Sequence, residues 1–190
     1  MGRWEPNARQ RLERAALDLF TERGYDQTTV AEIAERAGLT KRTFFRYFAD
    51  KREVLFGGQE ELTRLFSEGI AGTPAGATPF EAVGGALDAV ATVFTGERLA
   101  LARQRQPVVA ANNDLLEREL LKRTRLVAGM HDALAARGVG EPTAHIAAEL
   151  GCLAFGTAFH RWIEEGNRRE FGALAAEALD ELRAATAALG

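Results

Sequence analysis

Between Thr40 and Arg52 the chain sets five cations, Lys41, Arg42, Arg46, Lys51 and Arg52, against the single carboxylate of Asp50, and intersperses them with Thr40, Thr43, Phe45 and Tyr47. These side chains suit one kind of chemistry. A guanidinium can donate two parallel hydrogen bonds to guanine O6 and N7, a threonine can meet the methyl group of thymine, and a lysine or a hydroxyl can hold a backbone phosphate. The spacing agrees: at about 100° per residue, Phe44 and Phe48 share one side of a helix and Arg42 and Arg46 lie nearly opposite. Thr29 and the backbone N–H groups behind it, with Lys51 on the other side, can clamp phosphates flanking a groove. The same run of charges also suits a plain solvated helix, and Thr29 is fully accounted for as a helix cap, so the surrounding elements decide between the readings.

Those elements read as short helices. Leu12, Ala15, Ala16, Leu19 and Phe20 recur at helical spacing, Asn7 with Gln10 resembles a cap, and Gly24 stops this first helix. Thr29 and Glu32 form a capping box for a second helix of about two turns that buries Ile33, Ala34 and Ala37. Ala37-Gly38-Leu39-Thr40 then makes a tight turn in which Leu39 can plug the interior, and Thr40 caps the third helix. Two short helices joined this way are a helix-turn-helix, whose second helix enters the major groove. A fourth helix is expected from Asp50 and Glu53 through Val54, Leu55, Leu62, Leu65, Phe66 and Ile70. Gly57-Gly58 lies inside it as a soft point and candidate hinge, since each glycine costs about 1 kcal/mol against alanine in a helix interior.

The whole chain fits this pattern. It has 190 residues, is 46% hydrophobic and carries 24 Lys+Arg against 27 Asp+Glu; its single Cys excludes a disulfide framework. Residues 1–56 hold 11 basic and 9 acidic side chains, whereas 57–190 hold 13 and 18, so basic character is local. Met1-Gly2-Arg3-Trp4-Glu5 has no apolar signal core, and no stretch approaches the roughly 18 apolar residues of a membrane span, which implies a cytoplasmic protein without a membrane partner. Further helices are expected from Thr78-Pro79-Phe80-Glu81 to near Thr95, from Glu97 to Ala110 with a kink or end at Pro107, from Asp114 to Arg137-Gly138, from Pro142 to about Glu165, and from a cap at Asn167 and Glu170 to the C-terminus. No strand alternation competes. The expected fold is all-α with about nine helices, divided into a helix-turn-helix domain at 1–56 and a C-terminal helical domain at 57–190.

The run from Thr28-Thr29-Val30-Ala31-Glu32-Ile33 through Ala37-Gly38-Leu39-Thr40-Lys41-Arg42-Thr43-Phe44-Phe45-Arg46-Tyr47-Phe48 to Asp50-Lys51 resembles the DNA-binding signature of the TetR family of one-component bacterial regulators. Ala15-Ala16-Leu17-Asp18-Leu19-Phe20 and Gly24-Tyr25 resemble that family's first helix. The resemblance implies an all-helical homodimer on a palindromic operator, with a divergent C-terminal domain that binds a small inducer. It carries DNA contacts over to Thr29, Lys41, Thr43, Phe45, Tyr47 and Lys51, to which the helical geometry adds Arg42 and Arg46. Phe45 departs from the family's usual tyrosine and lacks the phosphate-binding hydroxyl, so its contact is apolar or absent.

In the C-terminal part, Phe171, Leu174, Ala175, Ala178, Leu179, Leu182, Ala185 and Leu189 form a seam, and Ala147, Gly151, Ala154 and Ala158 a small-residue face. Two such helices from each of two chains would make a four-helix dimer interface; packing within one chain is the alternative. Phe66, Phe94, Met130, Phe159 and Trp162 are candidates to line a ligand cavity, with Arg103, Gln106, His131 and His160 as polar handles, although apolar residues at such spacing also make ordinary core. Cys152 reads as a packed thiol. The three histidines lack metal-ligand spacing, no nucleophile or phosphate-loop motif is present, and neither a cofactor nor enzyme activity is expected. The function expected is that of a regulator, acting as a repressor because a bound dimer can occlude a promoter.

Overall fold

The computed structural model describes residues 7–189, so the opening Met1–Glu5 segment lies outside the described residues. The described residues form nine α-helices and no strand: α1 (Ala8–Arg23), α2 (Val30–Arg36), α3 (Lys41–Tyr47), α4 (Gln59–Ala71), α5 (Pro79–Ala91), α6 (Gly96–Ala110), α7 (Asn113–Ala136), α8 (Thr143–Ile163) and α9 (Phe171–Ala187). One turn of 3-10 helix, Glu53–Leu55, separates α3 from α4. The capping boxes act as their sequences imply. Thr29 Oγ1 accepts from the Glu32 N–H while the Glu32 carboxylate accepts from the Thr29 N–H, and Thr78 with Glu81 repeats this ahead of Pro79.

Other boundaries differ. Asn7 precedes α1 in a left-handed conformation, φ 75°, and its side chain caps nothing. The expected fourth helix is broken at Gly57-Gly58, where Gly58 takes φ +83°, a region that excludes helix propagation and that glycine enters without strain. Pro107 does not end α6, which runs on to Ala110. α5 stops at Ala91 rather than near Thr95. The side chain capping α7 is Asn112, whose Oδ1 accepts from the N–H groups of Asp114 and Leu115, not Asp114. Asn167 does not cap α9; it braces the preceding turn, donating to the carbonyls of Trp162 and Arg169 and accepting from the Arg169 N–H.

The chain forms two compact units. The first comprises residues up to Gly57 together with Ala100–Arg118; the second comprises Gly58–Leu99 and Glu119–Gly190. The sequence had placed 100–118 entirely with the C-terminal part. Their membership in the first unit follows from burial: Val109 and Leu115, 1% and 0% exposed, join Leu12, Ile33, Phe44 and Phe48 in one core. Polar links accompany it. Gln104 Nε2 donates to Asp18 at 3.1 Å, Arg105 Nε donates to the Leu55 carbonyl at 2.8 Å, and Arg118 pairs with Glu53.

In the second unit, α4 and α5 cross so closely that a Cβ on Gly69 would stand 2.5 Å from Ala86 Cα. Arg137, just beyond the end of α7, donates to the carbonyls of Ile70 and Thr73 at 3.2 and 2.8 Å and so ties the turn after α4 to α7. Ala147, Gly151, Ala154 and Ala158 of α8 are all buried within the chain; a Cβ on Gly151 would meet Val83 Cγ1 at 2.7 Å. The seam of α9 is likewise consumed internally through Leu179, while Ala185 and Leu189 are exposed. Among the described residues no helix is long and apolar enough to cross a membrane.

Candidate nucleic-acid interface

α3 begins where Thr40 Oγ1 accepts from the Thr43 N–H at 3.1 Å and ends at Phe48, which has left the helical region. Its inner side is fixed by Phe44 and Phe48, 0% and 4% exposed, with rings 5.4 Å apart. The turn before it is equally determined. Gly38 takes φ +66°, the Leu39 N–H returns to the Ala34 carbonyl at 2.8 Å, Leu39 packs against the core, and Arg11 of α1 donates to the Ala37 carbonyl. The outer side of α3 therefore has one orientation, set by two aromatic anchors below.

That outer side carries Lys41, Arg42, Phe45 and Arg46, all exposed. Among the described residues Arg42 makes no hydrogen bond or ion pair, so its guanidinium is available to a ligand in the bidentate geometry that guanine demands. Phe45 is half exposed, its ring edge-on to Phe44 at 5.5 Å and 5.9 Å from Lys41 Nζ. Arg46 lies with its guanidinium carbon 5.1 Å from the Tyr47 ring centroid and donates to the Tyr47 hydroxyl at 3.2 Å, so these two side chains present themselves as a pair.

The remaining candidates are already engaged. Thr40 and Thr43 share a hydrogen bond between their hydroxyls at 2.9 Å, and Thr43 is half-buried. Thr29 Oγ1 also donates to the Glu32 carboxylate at 2.8 Å, which with the backbone bond at Thr29 holds that carboxyl below its ordinary range. Lys51 points inward, donating to the carbonyls of Tyr25 and Thr28 at 2.7 and 2.9 Å. Burial lowers the Lys51 pKa and pushes the Tyr25 phenol up to about 12. The part played by Tyr25, which sits 4.0 Å from the Lys51 ammonium, is absent from the residue-by-residue reading, since no local signal ties positions 26 apart.

The ligand candidates are dispersed. In the second unit Phe66, Phe94, Phe159 and Trp162 do converge, but with Phe155 and Phe171 they pack against one another: Phe94 stacks on Phe171 at 4.2 Å and meets Trp162 at 5.2 Å, and Phe66 meets Phe155 at 5.4 Å. Met130 is fully buried. Arg103 and Gln106 belong to the first unit, apart from the rest of the set. His131 lines a cleft of about 440 Å³ with Leu120, Arg123, Val127, His145 and Glu149, and the carboxylates of Glu141 and, less, Asp132 raise its pKa. His160 is exposed beside Phe159. A second cleft of similar volume, lined by Phe80, Ile146 and Arg183 among others, has no counterpart among the sequence candidates. Cys152 is buried, and burial raises its thiol pKa.

Residues 13–57 match the family model described as "Bacterial regulatory proteins, tetR family". Over 82 residues the chain is 43% identical to the HTH-type transcriptional regulator TcmR of Streptomyces glaucescens, covering 43% of this chain and 36% of that one. The chain spans about a third of the length of the first curated relatives it matches. Its fold, by contrast, is matched nearly end to end. SmeT, the repressor of the Stenotrophomonas maltophilia multidrug efflux pump SmeDEF, superposes with a TM-score of 0.57 at 20% identity, covering 93% of this chain and 89% of that one. The regulator FadR of Bacillus subtilis, solved in complex with stearoyl-CoA, superposes with a TM-score of 0.59 at 21% identity, covering 91% and 96%. At such identities the likeness concerns the fold. Residues 13–57 thus carry a tetR-family helix-turn-helix in sequence, and the nine helices of the described residues share the arrangement of these solved regulators.

Proposed function

We propose that this protein is a DNA-binding transcriptional regulator, a repressor that grips a palindromic operator as a homodimer and is released by a small molecule. One observation carries the reading: α3 exposes Arg42, Arg46, Lys41 and Phe45 on the side opposite two fully seated phenylalanines. Burial of Phe44 and Phe48 fixes which side of α3 faces outward, and base readout depends on such a fixed helix face. Thr29, Thr40, Thr43, Tyr47 and Lys51 complete the interface, as direct contacts or as its supports. The curated relative is named as a transcriptional regulator rather than an enzyme. A cytoplasmic location follows from the DNA partner.

Dimerisation through the last two helices has to use a different face from the one the small residues suggested, since those are spent inside the chain. The outer side of α8 offers Ile146 and Leu153, 53% and 45% exposed, as the apolar centre of such an interface. Two heads are needed because one short helix reads few base pairs, and half-sites one helical turn apart are read together. The aromatic cluster around Phe94 would have to open to admit a ligand, whereas the cleft at His131 is already of ligand size. SmeT, a repressor, and FadR, solved with an acyl-CoA, support the repressor and ligand elements by analogy of fold alone.

The test is selection of duplexes from a random library with the full-length chain, followed by titration of the recovered sequence. The expected product is an inverted repeat with about one turn between half-site centres, bound less tightly as salt rises. Arg42→Ala should cost roughly 1–3 kcal/mol of binding and relax preference at one position of each half-site. A library that shows no enrichment, or an Arg42→Ala protein that selects the same sequence with the same affinity, overturns the assignment.

A further inference from the structure

Lys51 carries its charge at the edge of the interface, yet its side chain is turned into the protein. Two of its three N–H donors go to main-chain carbonyls 26 and 23 positions earlier, Tyr25 at 2.7 Å and Thr28 at 2.9 Å, and the Tyr25 ring covers the ammonium with its centroid 4.0 Å from Nζ. The seat is itself rigid. The Tyr25 ring packs on Phe20 at 5.1 Å, and Thr28, 1% exposed, donates through Oγ1 to the Gly24 carbonyl at 3.0 Å. On the other side, Asp50 Oδ1 accepts from the N–H groups of Arg52 and Glu53 at 2.8 and 3.1 Å, which fixes the backbone from which Lys51 projects.

We propose that Lys51 is a positioning residue of the interface. Its ammonium ties the Tyr25–Thr28 turn to the chain leaving α3, and through the peptide that follows it sets Thr29 and the start of α2 relative to the base-reading face, instead of holding a phosphate itself. This rests on the DNA-binding reading above and adds to it the division of labour between Arg42, which faces outward, and Lys51, which does not. Hydrogen bonds from an ammonium to carbonyls are shorter and stronger than neutral ones. Turning outward to a phosphate would abandon both, stripping the Thr28 carbonyl of its lysine donor and leaving the Tyr25 carbonyl only the Thr28 N–H at 3.2 Å. A single cross-link between segments so distant in sequence therefore has more to lose by rotating than by staying.

The two roles leave different signatures. A lysine that neutralises a phosphate contributes about 0.9 to the slope of log affinity against log salt for each head. Such a lysine is replaced by arginine at little cost, whereas the seat between Tyr25 and Thr28 is shaped for a compact ammonium. With the duplex recovered by selection, Lys51→Met should bind about tenfold more weakly at every salt concentration with an unchanged slope. Lys51→Arg should lose as much. In both variants, amide hydrogen exchange measured on the free full-length chain should accelerate at residues 28–33 while remaining protected in α8. A reduced slope for Lys51→Met, unaltered affinity in that variant, wild-type affinity in Lys51→Arg, or unchanged exchange overturns the proposal. Should Lys51→Met fail to fold, Lys51→Arg decides by itself. If the wild-type chain selects no duplex, the DNA-binding reading fails, while the exchange experiment still tests whether Lys51 holds the turn.

Discussion

Arg42 and Lys51, nine positions apart, carry the same formal charge and have opposite fates, and the difference lies in what each side chain can reach. Arg42 projects from a helix face and makes no hydrogen bond or ion pair among the described residues, whereas Lys51 sits opposite two carbonyls and a phenol ring. That ring offers a direct probe. Burial favours the neutral phenol of Tyr25, with the Asp50 carboxylate as the next cause, and moves its pKa from 10.0 to about 12. An unfolded chain would ionise this phenol first, so its contribution to stability is complete below pH 10 and is lost as pH climbs towards 12. Lys51, whose pKa burial lowers, acts in the opposite sense over its own range, so the phenol is better followed by absorbance than by melting. The chain has two tyrosines. In Tyr47→Phe, the remaining tyrosinate signal should have its midpoint near pH 12 in the folded protein and near 10 in denaturant. A folded-state midpoint near 10 would show that the phenol is not buried.

At the scale of elements, the helices that form the candidate interface are only seven residues each, too short to persist alone. Their caps and anchors hold them. Thr29 is a helix cap and also a candidate phosphate contact, and a substitution can separate the two. Aspartate caps a helix as well as threonine does, so Thr29→Asp should change thermal stability little, whereas Thr29→Ala should cost about 1 kcal/mol. If Thr29 lies against a phosphate, the added carboxylate should abolish DNA binding in the stable Thr29→Asp protein. Binding by that variant at wild-type affinity would confine Thr29 to its capping role. The break at Gly57-Gly58 makes a related point. A sequence reading that weighs helix propensity sees two modest penalties inside one helix, while the backbone resolves them as a stop, with Gly58 in a conformation that other residues enter only with strain. The division between the two compact units falls between these same glycines.

At the scale of the whole molecule, the first unit is discontinuous, and this has a consequence for its autonomy. Residues 7–57 bury their apolar faces partly against Val109 and Leu115, which arrive from the chain 50 positions later. A fragment ending at Gly57 should therefore lack a cooperative thermal transition, and covalent addition of residues 100–118 should restore one. Leu115→Ala in the full chain should lower the stability of this unit by about 2–5 kcal/mol, read by hydrogen exchange in α1–α3. A cooperative melt of the short fragment, equal to that of the extended one, would show that 100–118 are dispensable.

The sequence alone determined the all-helical architecture, because apolar periodicity and capping boxes act over three or four residues and need no distant partner. It also determined the two sides of α3, since Phe44 and Phe48 have to be buried together and Arg42 and Arg46 then have to face away. Tertiary structure decided what local pattern could not: that Val109 and Leu115 complete the first core, that the small residues of α8 are buried within the chain, Gly151 against Val83 and Met130, and that the ligand candidates are mutually packed or divided between units. It also decided that Lys51 turns inward. Periodicity reports which side of a helix is apolar, but not which remote segment covers it, nor which carbonyl a flexible cation will find. Those outcomes depend on contacts between residues tens of positions apart, and such contacts leave no trace in the spacing of either partner.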